Sequence, residues 1–508
     1  SPPLIAPNNP FNPFTGSASL FVGRSPGVGQ QSDFFNDSQN PTAYSHDTWR
    51  VVAGMTGDIG DTWYYDVSYL RAVNDYRLSD VGDGLALETN LSLAGQGGTD
   101  CLPGAQPAGT GGCQFYNPFA SGFVGDPNAS VPVFNLDGSP VTDASGGQVS
   151  VPVLNSEQIL NYITGEITLD GKSTLTVVDA VAAGDLFSLP AGPVGAAIGF
   201  QYRDDSLSHN LDENTNGGNF LFVTAPIQDF FGQRDVFAFF GELQIPILDN
   251  LELSAALRYE DYGGFIGDTV DPKLALLYRP FDDLSIRASW GTAFRAPSVF
   301  QQFGNQTSLN SVFDPVTGGE PFIAISSTGN RNLQPEESET INAGFTYAPS
   351  QVRGLEFNVD YWRFDFDDVI TQQQPEELAA QTINTPGNEI PGVVERGPTG
   401  DLAFIQTEFV NRAGIETDGF DLAVSYTLDT DLGTVVPRFE STYVNKYEIP
   451  LGVDDRIVDT AGSRNSQNFA APIPQWRFNA SLAYAWRNHS FTTFVRYIDG
   501  MTDDQNCG

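Results

Sequence analysis

Apolar and polar residues alternate one by one along stretches of ten to fifteen residues, a pattern that few folds can use. In LELSAALRYED, Leu251, Leu253, Ala255, Leu257 and Tyr259 fall on one side. Glu252, Ser254, Ala256, Arg258 and Glu260 fall on the other. DLSIRASWG sets Leu284, Ile286, Ala288 and Trp290 against Ser285, Arg287 and Ser289, and QWRFNASLAYAWR repeats the arrangement from Trp476 to Trp486. Period two is the signature of a β-strand with one apolar and one polar face. Strands of soluble proteins average about five or six residues, whereas tilted strands crossing a bilayer need about nine to eleven. Length therefore favours a membrane barrel over a sandwich or a propeller.

About fourteen such segments can be read. They lie near 47–57, 61–75, 171–181, 193–207, 234–247, 251–261, 268–279, 283–292, 337–347, 354–366, 415–427, 432–446, 474–486 and 489–499. Short and long connections alternate. GDIGD (57–61), ILDN (247–250), PFDD (280–283), LDTD (428–431) and RNH (487–489) are short. The stretches 76–170, 208–233, 293–336, 367–414 and 448–473 are long, and YGGFIG (262–267) is a brief link in a long position. Outer-membrane barrels have this parity, with short periplasmic turns and longer extracellular loops. Aromatic residues near strand ends, among them Trp63, Trp290, Trp476, Tyr484 and Trp486, suit the interfacial girdles of such barrels. The fold class expected is all-β, a transmembrane antiparallel barrel.

Composition narrows the function. The formal charge of −39, from 63 acidic and 24 basic residues, argues against nucleic acid, which requires clustered Lys and Arg. Exposed acidic loops account for the charge through solubility; divalent cations bridging to lipopolysaccharide are a second use for it. No run of about 18 apolar residues offers a helical span. Cys101 and Cys113 enclose the Gly- and Pro-rich loop CLPGAQPAGTGGC and suit a disulfide, while Cys507 is left over. His46, His209 and His489 are scattered, no metal site or cofactor is expected, and no GxSxG, HExxH or P-loop pattern appears. The chain does not read as an enzyme.

Several stretches resemble the barrel of the TonB-dependent receptor family. They are LPAGPVGAAIGFQYRDDSL (189–207), GELQIPILDNLELSAALRYEDYG (241–263), DPKLALLYRPFDDLSIRASWGTAFRAPSVFQQFG (271–304), NLQPEESETINAGFTYAP (332–349), RGLEFNVDYWRFDFDDVI (353–370) and NRAGIETDGFDLAVSY (411–426). The resemblance implies one partial barrel domain over 1–508, carrying about fourteen strands of a 22-stranded barrel. The plug domain, the TonB box and the remaining strands would fall outside these residues. It further implies the outer membrane of a Gram-negative bacterium, contact with lipid and lipopolysaccharide, and coupling to a TonB–ExbB–ExbD complex through the plug. The function implied is active import of a scarce ligand, of oligosaccharide or iron-siderophore type; a passive porin or a surface adhesion barrel is the alternative.

Ligand contacts are expected in HNLDENTNGGNFLFVTAPIQDFF (209–231), where amides mix with rings: Asn214, Asn216, Asn219, Phe220, Phe222, Phe230 and Phe231. Rings stack and amides fix orientation, which suits a sugar or an aromatic ligand. Arg295, Phe300, Gln301 and Gln302, around AFRAPS, form a second candidate wall of the cavity.

Overall fold

The computed structural model describes residues 4–14, 16–19, 42–120, 128–143, 145–221, 226–264, 266–412, 414–451, 456–464 and 472–503. Fourteen long strands follow one another in a single antiparallel meander. The first seven are β1 (Ala43–Ile59), β2 (Trp63–Gly84), β3 (Thr164–Leu189), β4 (Gly192–Leu211), β5 (Phe230–Leu248), β6 (Leu251–Asp261) and β7 (Asp268–Phe281). The other seven are β8 (Leu284–Arg295), β9 (Glu336–Tyr347), β10 (Leu355–Asp367), β11 (Ile415–Tyr426), β12 (Gly433–Leu451), β13 (Trp476–Trp486) and β14 (His489–Ile498). Each pairs with its neighbours in sequence, and among the described residues β1 and β14 are the two edges of the wall.

The register shows what the alternation accomplishes. One row across the wall reads Leu253, Leu276, Ala288, Ala343, Tyr361, Phe420, Tyr443, Trp476. One residue along, the row reads Arg287, Gly344, Asp360, Asp421, Thr442, Arg477. Directly opposed residues share a face, so the sheet has one apolar and one polar surface. The apolar surface is uncovered: Phe239 is 56% exposed, Ile198 60% and Leu257 53%. Water does not tolerate a continuous apolar surface of this extent on a monomer, whereas hydrocarbon does. No helix among the described residues is long and apolar enough to cross a membrane.

Seven hairpins of the wall turn at one end, through brief links such as 60–62, 190–191, 249–250, 282–283 and 487–488, and the β6–β7 hairpin turns at the other. Long connections gather at the other end. There β2 to β5 run further than the alternation indicates, to 22, 26, 20 and 19 residues. At about 3.3 Å per residue β3 extends about 85 Å, far beyond a hydrocarbon core of about 30 Å even when tilted. The added lengths are sparser in apolar residues: TGEITLDG at 164–171 sets only Ile167 and Leu169 against Glu166, Thr168 and Asp170.

The long connections fold into two caps, and the compact apolar cores lie chiefly there. In the first cap, residues 85–163 pack Leu93, Tyr116, Ile159, Leu160 and Ile163 around Ile5, and Asn9 Nδ2 donates to the Leu93 carbonyl at 2.8 Å. The Cys101–Cys113 disulfide closes one of its loops. In the second, strands Asn305–Ser311, Phe322–Thr328, Val394–Arg396 and Leu402–Arg412 form a small sheet with Val369–Gln372. Helix α1 (Pro375–Gln381) lays Leu378 and Ala379 over Ile323, Ile325 and Ile405. A buried ion pair, Arg396 to Asp314, locks this cap.

Candidate functional site

The polar face of the wall carries two constructions near its long-loop end. The first is an arginine network. Arg203 Nη2 donates to the Tyr262 hydroxyl at 3.1 Å, and that hydroxyl donates to Glu260 at 2.6 Å. Arg258 Nη2 donates to Gln201, which donates to Asp179. Arg234 holds Asp205 with two bonds, at 2.9 and 3.1 Å, and its guanidinium lies 5.4 Å from the Tyr262 ring centroid. Burial, then the hydrogen bond to the Glu260 carboxylate, push the Tyr262 phenol up to about 12. Tyr262 therefore stays a neutral donor at any physiological pH. Beside it Phe240, Arg258, Lys273 and Phe294 line a cavity of about 430 Å³.

The second construction is a run of rings. His46 stacks on Tyr76 at 5.8 Å between centroids, and Tyr76 meets His209 edge-on at 5.6 Å. The Tyr76 hydroxyl and His209 Nε2 share a hydrogen bond. His209 lies 4.5 Å from Phe230, Phe230 lies 5.8 Å from Phe300, and Phe300 lies 6.3 Å from Phe409. Register explains the first half: His46, Tyr76, Gly171, His209 and Phe230 occupy one row of β1 to β5. Gly171 is the vacancy in that row. A Cβ there would meet Tyr76 Cζ at 2.0 Å, so only glycine lets the Tyr76 ring lie across to His209. The rings run from the strand row to the second cap.

Most residues singled out by sequence hold the loops in place. Asn219 Oδ1 accepts from the Leu87 amide at 2.9 Å, and its Nδ2 donates to Glu88 and to Asn214 Oδ1, both at 3.0 Å. Phe220 is fully buried against Leu85 and Gly165. Asn216 Oδ1 is buried without a hydrogen-bond partner. Phe230 joins the run of rings, whereas Phe231 is exposed on the apolar face of the wall, and Phe222 lies outside the described residues. Arg295 is paired with Glu336, whose other oxygen accepts from the Ile370 amide. Gln301 completes a capping box with Ser298 on helix Val299–Phe303, and Gln302 of that helix is buried. Sequence reading missed Tyr76 and Phe409: Tyr76 reaches His209 only through strand register, and Phe409 reaches Phe300 only through the folding of the second cap.

His46 and His209 flank Tyr76, while His489 sits at the short-turn end against Trp486. Among the described residues no three His, Cys, Asp or Glu side chains are grouped to hold a metal ion. Cys507 lies outside the described residues.

The model of the TonB-dependent receptor-like β-barrel family matches residues 5–507. The chain belongs to that family. The apolar face of the wall is thus the lipid face, the polar face lines the lumen, and the family is one of transporters and receptors rather than enzymes. A vitamin B12 transporter of Vibrio cholerae is 31% identical over 93 residues, 18% of this chain and 12% of that protein. A ferric enterobactin receptor of Pseudomonas aeruginosa is 24% identical over 170 residues, 33% of this chain and 21% of that one. The chain thus aligns with well under two thirds of the length of these curated relatives. Among solved structures, the siderophore receptor PirA of Acinetobacter baumannii aligns with a TM-score of 0.44 at 11% identity, covering 93% of this chain and 63% of that one.

Proposed function

We propose that this TonB-dependent receptor chain forms the wall and outer cap of an energised importer in the outer membrane of a Gram-negative bacterium. It takes a scarce ligand, of oligosaccharide or iron-siderophore type, into the periplasm. The observation that carries this reading is the run of rings from His46 to Phe409. It joins the second cap to a row that crosses β1 to β5 on the lumen-facing side near the long-loop end. Rings present flat apolar faces without charge and suit sugar faces or aromatic groups. The named relatives, a vitamin B12 transporter and a ferric enterobactin receptor, support uptake of a bulky solute. On this reading a plug domain occupies the lumen and couples it to a TonB–ExbB–ExbD complex.

The test is a gene deletion screened for growth on iron sources and glycans, with planar-bilayer conductance of the full-length protein alongside. Loss of growth on one ligand, restored only in cells with an intact proton-motive force, is the expected result. A steadily open pore and energy-independent uptake would instead establish a passive porin. Within the site, Phe300→Ala and Phe409→Ala together are expected to lower uptake of that ligand at least about tenfold, since each removes a stacking surface worth about 1 kcal/mol.

A further inference from the structure

We infer that a groove in the second cap, between the strand Asn305–Ser311 and the run Gln372–Gln374, binds a neutral polyhydroxylated ligand, a sugar chain. This rests on the import reading above and names the solute class that the cap selects.

The groove follows from the small sheet. Period two places Gln306, Ser308 and Asn310 on one face of the strand. By register that face continues into Ile323, Ile325 and Ser327 on the next strand, then into Ile405 and Thr407. Helix α1 covers the isoleucines. The edge strand is left exposed, and it carries amides and a hydroxyl where an apolar fringe would have extended the core. Facing it, Gln372, Gln373 and Gln374 form the second wall of a space of about 460 Å³. Small-molecule sites occupy about 300–1,000 Å³.

These amides are fixed but not exhausted. Gln372 Nε2 donates to Thr407 Oγ1 at 3.0 Å, Gln373 Oε1 accepts from the Glu408 amide at 3.1 Å, and Gln374 Nε2 donates to the Gln372 carbonyl at 3.4 Å. Among the described residues this leaves Gln372 Oε1, Gln373 Nε2 and Gln374 Oε1 free. Ser327, in the same row as Gln306 and Thr407, is 3% exposed, and its Oγ has no partner. It lies in the row beneath the groove and outside the groove's lining.

The chemistry selects the class. A sugar hydroxyl both donates and accepts, and a carboxamide is the side chain that offers both without charge. Glu376 is the one charged lining residue. No cation lines the groove to offset an anionic ferric complex, and the chain's net charge of −39 adds to the repulsion. Pro375 offers an apolar contact for a C–H face, while Val312 and Ile325 lie buried beneath the groove in the cap core.

The test uses the full-length protein in detergent, titrated calorimetrically with maltohexaose, cellohexaose and xylohexaose and, separately, with a ferric catecholate complex. One hexasaccharide should bind, and the double variant Gln306→Leu/Gln374→Leu should weaken it at least about tenfold. Gln306 is exposed and Gln374 half-buried, and both stand in the cap, so a retained heat-modifiable gel shift shows that the barrel is intact. Unchanged affinity in that variant, or binding of the ferric complex and of no hexasaccharide, overturns the groove. Uptake separates the two readings. Energised uptake of the ligand with unchanged affinity in the variant leaves import standing without the groove. Groove-dependent binding with normal uptake in the deletion strain leaves the groove standing without import.

Discussion

The wall at β6 to β8 and the second cap at residues 305–412 are built from similar side chains under opposite rules. In the wall, Leu253, Leu274, Leu276 and Ile286 project from the sheet, with Leu274 45% exposed. In the cap, Ile323, Ile325 and Ile405 lie under a helix and are 5% exposed or less. The wall is polar inside and apolar outside because its solvent is lipid; the cap stands in water and must make a core of its own. Stability in the wall therefore resides in the continuous hydrogen-bond ladder and the match to hydrocarbon. In the cap it resides in packing and in a few buried polar contacts.

The largest difference is expected at the ion pair. Asp314 is fully buried, and Arg396 Nη2 reaches its Oδ1 at 2.9 Å. Arg396→Met leaves an uncompensated carboxylate and should destabilise the cap by about 3–5 kcal/mol. The readout is hydrogen exchange, corrected for intrinsic rates: protection should vanish over 305–328 and 394–412 and persist in β6 to β8. Loss of protection in both regions would show that cap and wall are one cooperative unit. The Arg396 guanidinium holds the Asp314 carboxyl well below the usual carboxylate range. A depressed folded value gives stability that is complete above the unfolded value of about 3.9 and lost as pH falls through the folded one. Wild-type cap protection should accordingly be flat from pH 8 to 5 and decline only in stronger acid.

A second substitution exploits the one-residue step between faces. Leu276→Arg puts a charge on the lipid face, at a cost of about 2–4 kcal/mol near the bilayer midplane. Ala275→Arg, one position along, faces the lumen and should cost a small fraction of that. Equilibrium unfolding of the protein in lipid vesicles measures both, and equal costs would mean that the two faces are wrongly assigned.

That step is also why the wall was legible in the sequence. Lipid forces period two on every crossing strand, so all fourteen segments could be read, and loop parity gave the two ends. What was missed followed from water. Above the membrane the alternation fades, and the upper parts of β2 to β5 read as loop. The cap core joins Val312 to Ile405 across connections with no period of their own. Asp314 and Arg396 are 82 positions apart. NQTSLNS and the glutamine run fall inside two long connections, and only the fold of the small sheet brings them to the two sides of one groove. The 209–231 loop drew attention for its rings and amides, yet Asn219 and Phe220 tie that loop to Leu85, Leu87 and Glu88, and residues distant in sequence complete the run of rings.

The Cys101–Cys113 link sets the first cap apart from the second. It encloses a short Gly-rich loop, and replacing both residues by serine should cost about 2–3 kcal/mol by the loop-closure argument. The loss should appear as faster proteolysis within 95–163, with 305–412 unaffected. If nicking accelerates equally in both caps, stability passes between them through the β4–β5 connection, where Asn219 accepts from the Leu87 amide of the first cap and the Gln228 carbonyl accepts from Asn305 of the second at 2.7 Å.

The smallest effect tests where wall and cap meet. Gly171→Ala would bring a methyl to 2.0 Å from Tyr76 Cζ, so the ring must swing away from His209. Overpacking of this kind costs about 1–3 kcal/mol, and a swung ring also breaks the run at its second member. The combined variant Gly171→Ala/Tyr76→Ala removes the clash, so the two changes should couple: the double variant should be more stable than the sum of the singles predicts. Ligand uptake should behave differently. Both Gly171→Ala and Tyr76→Ala should lower it, and combining them should restore nothing, because relief of the clash returns stability without returning the ring. If uptake recovers along with stability, the row from His46 to Phe230 is packing for the cap's foundation, and the ligand takes another route down the lumen.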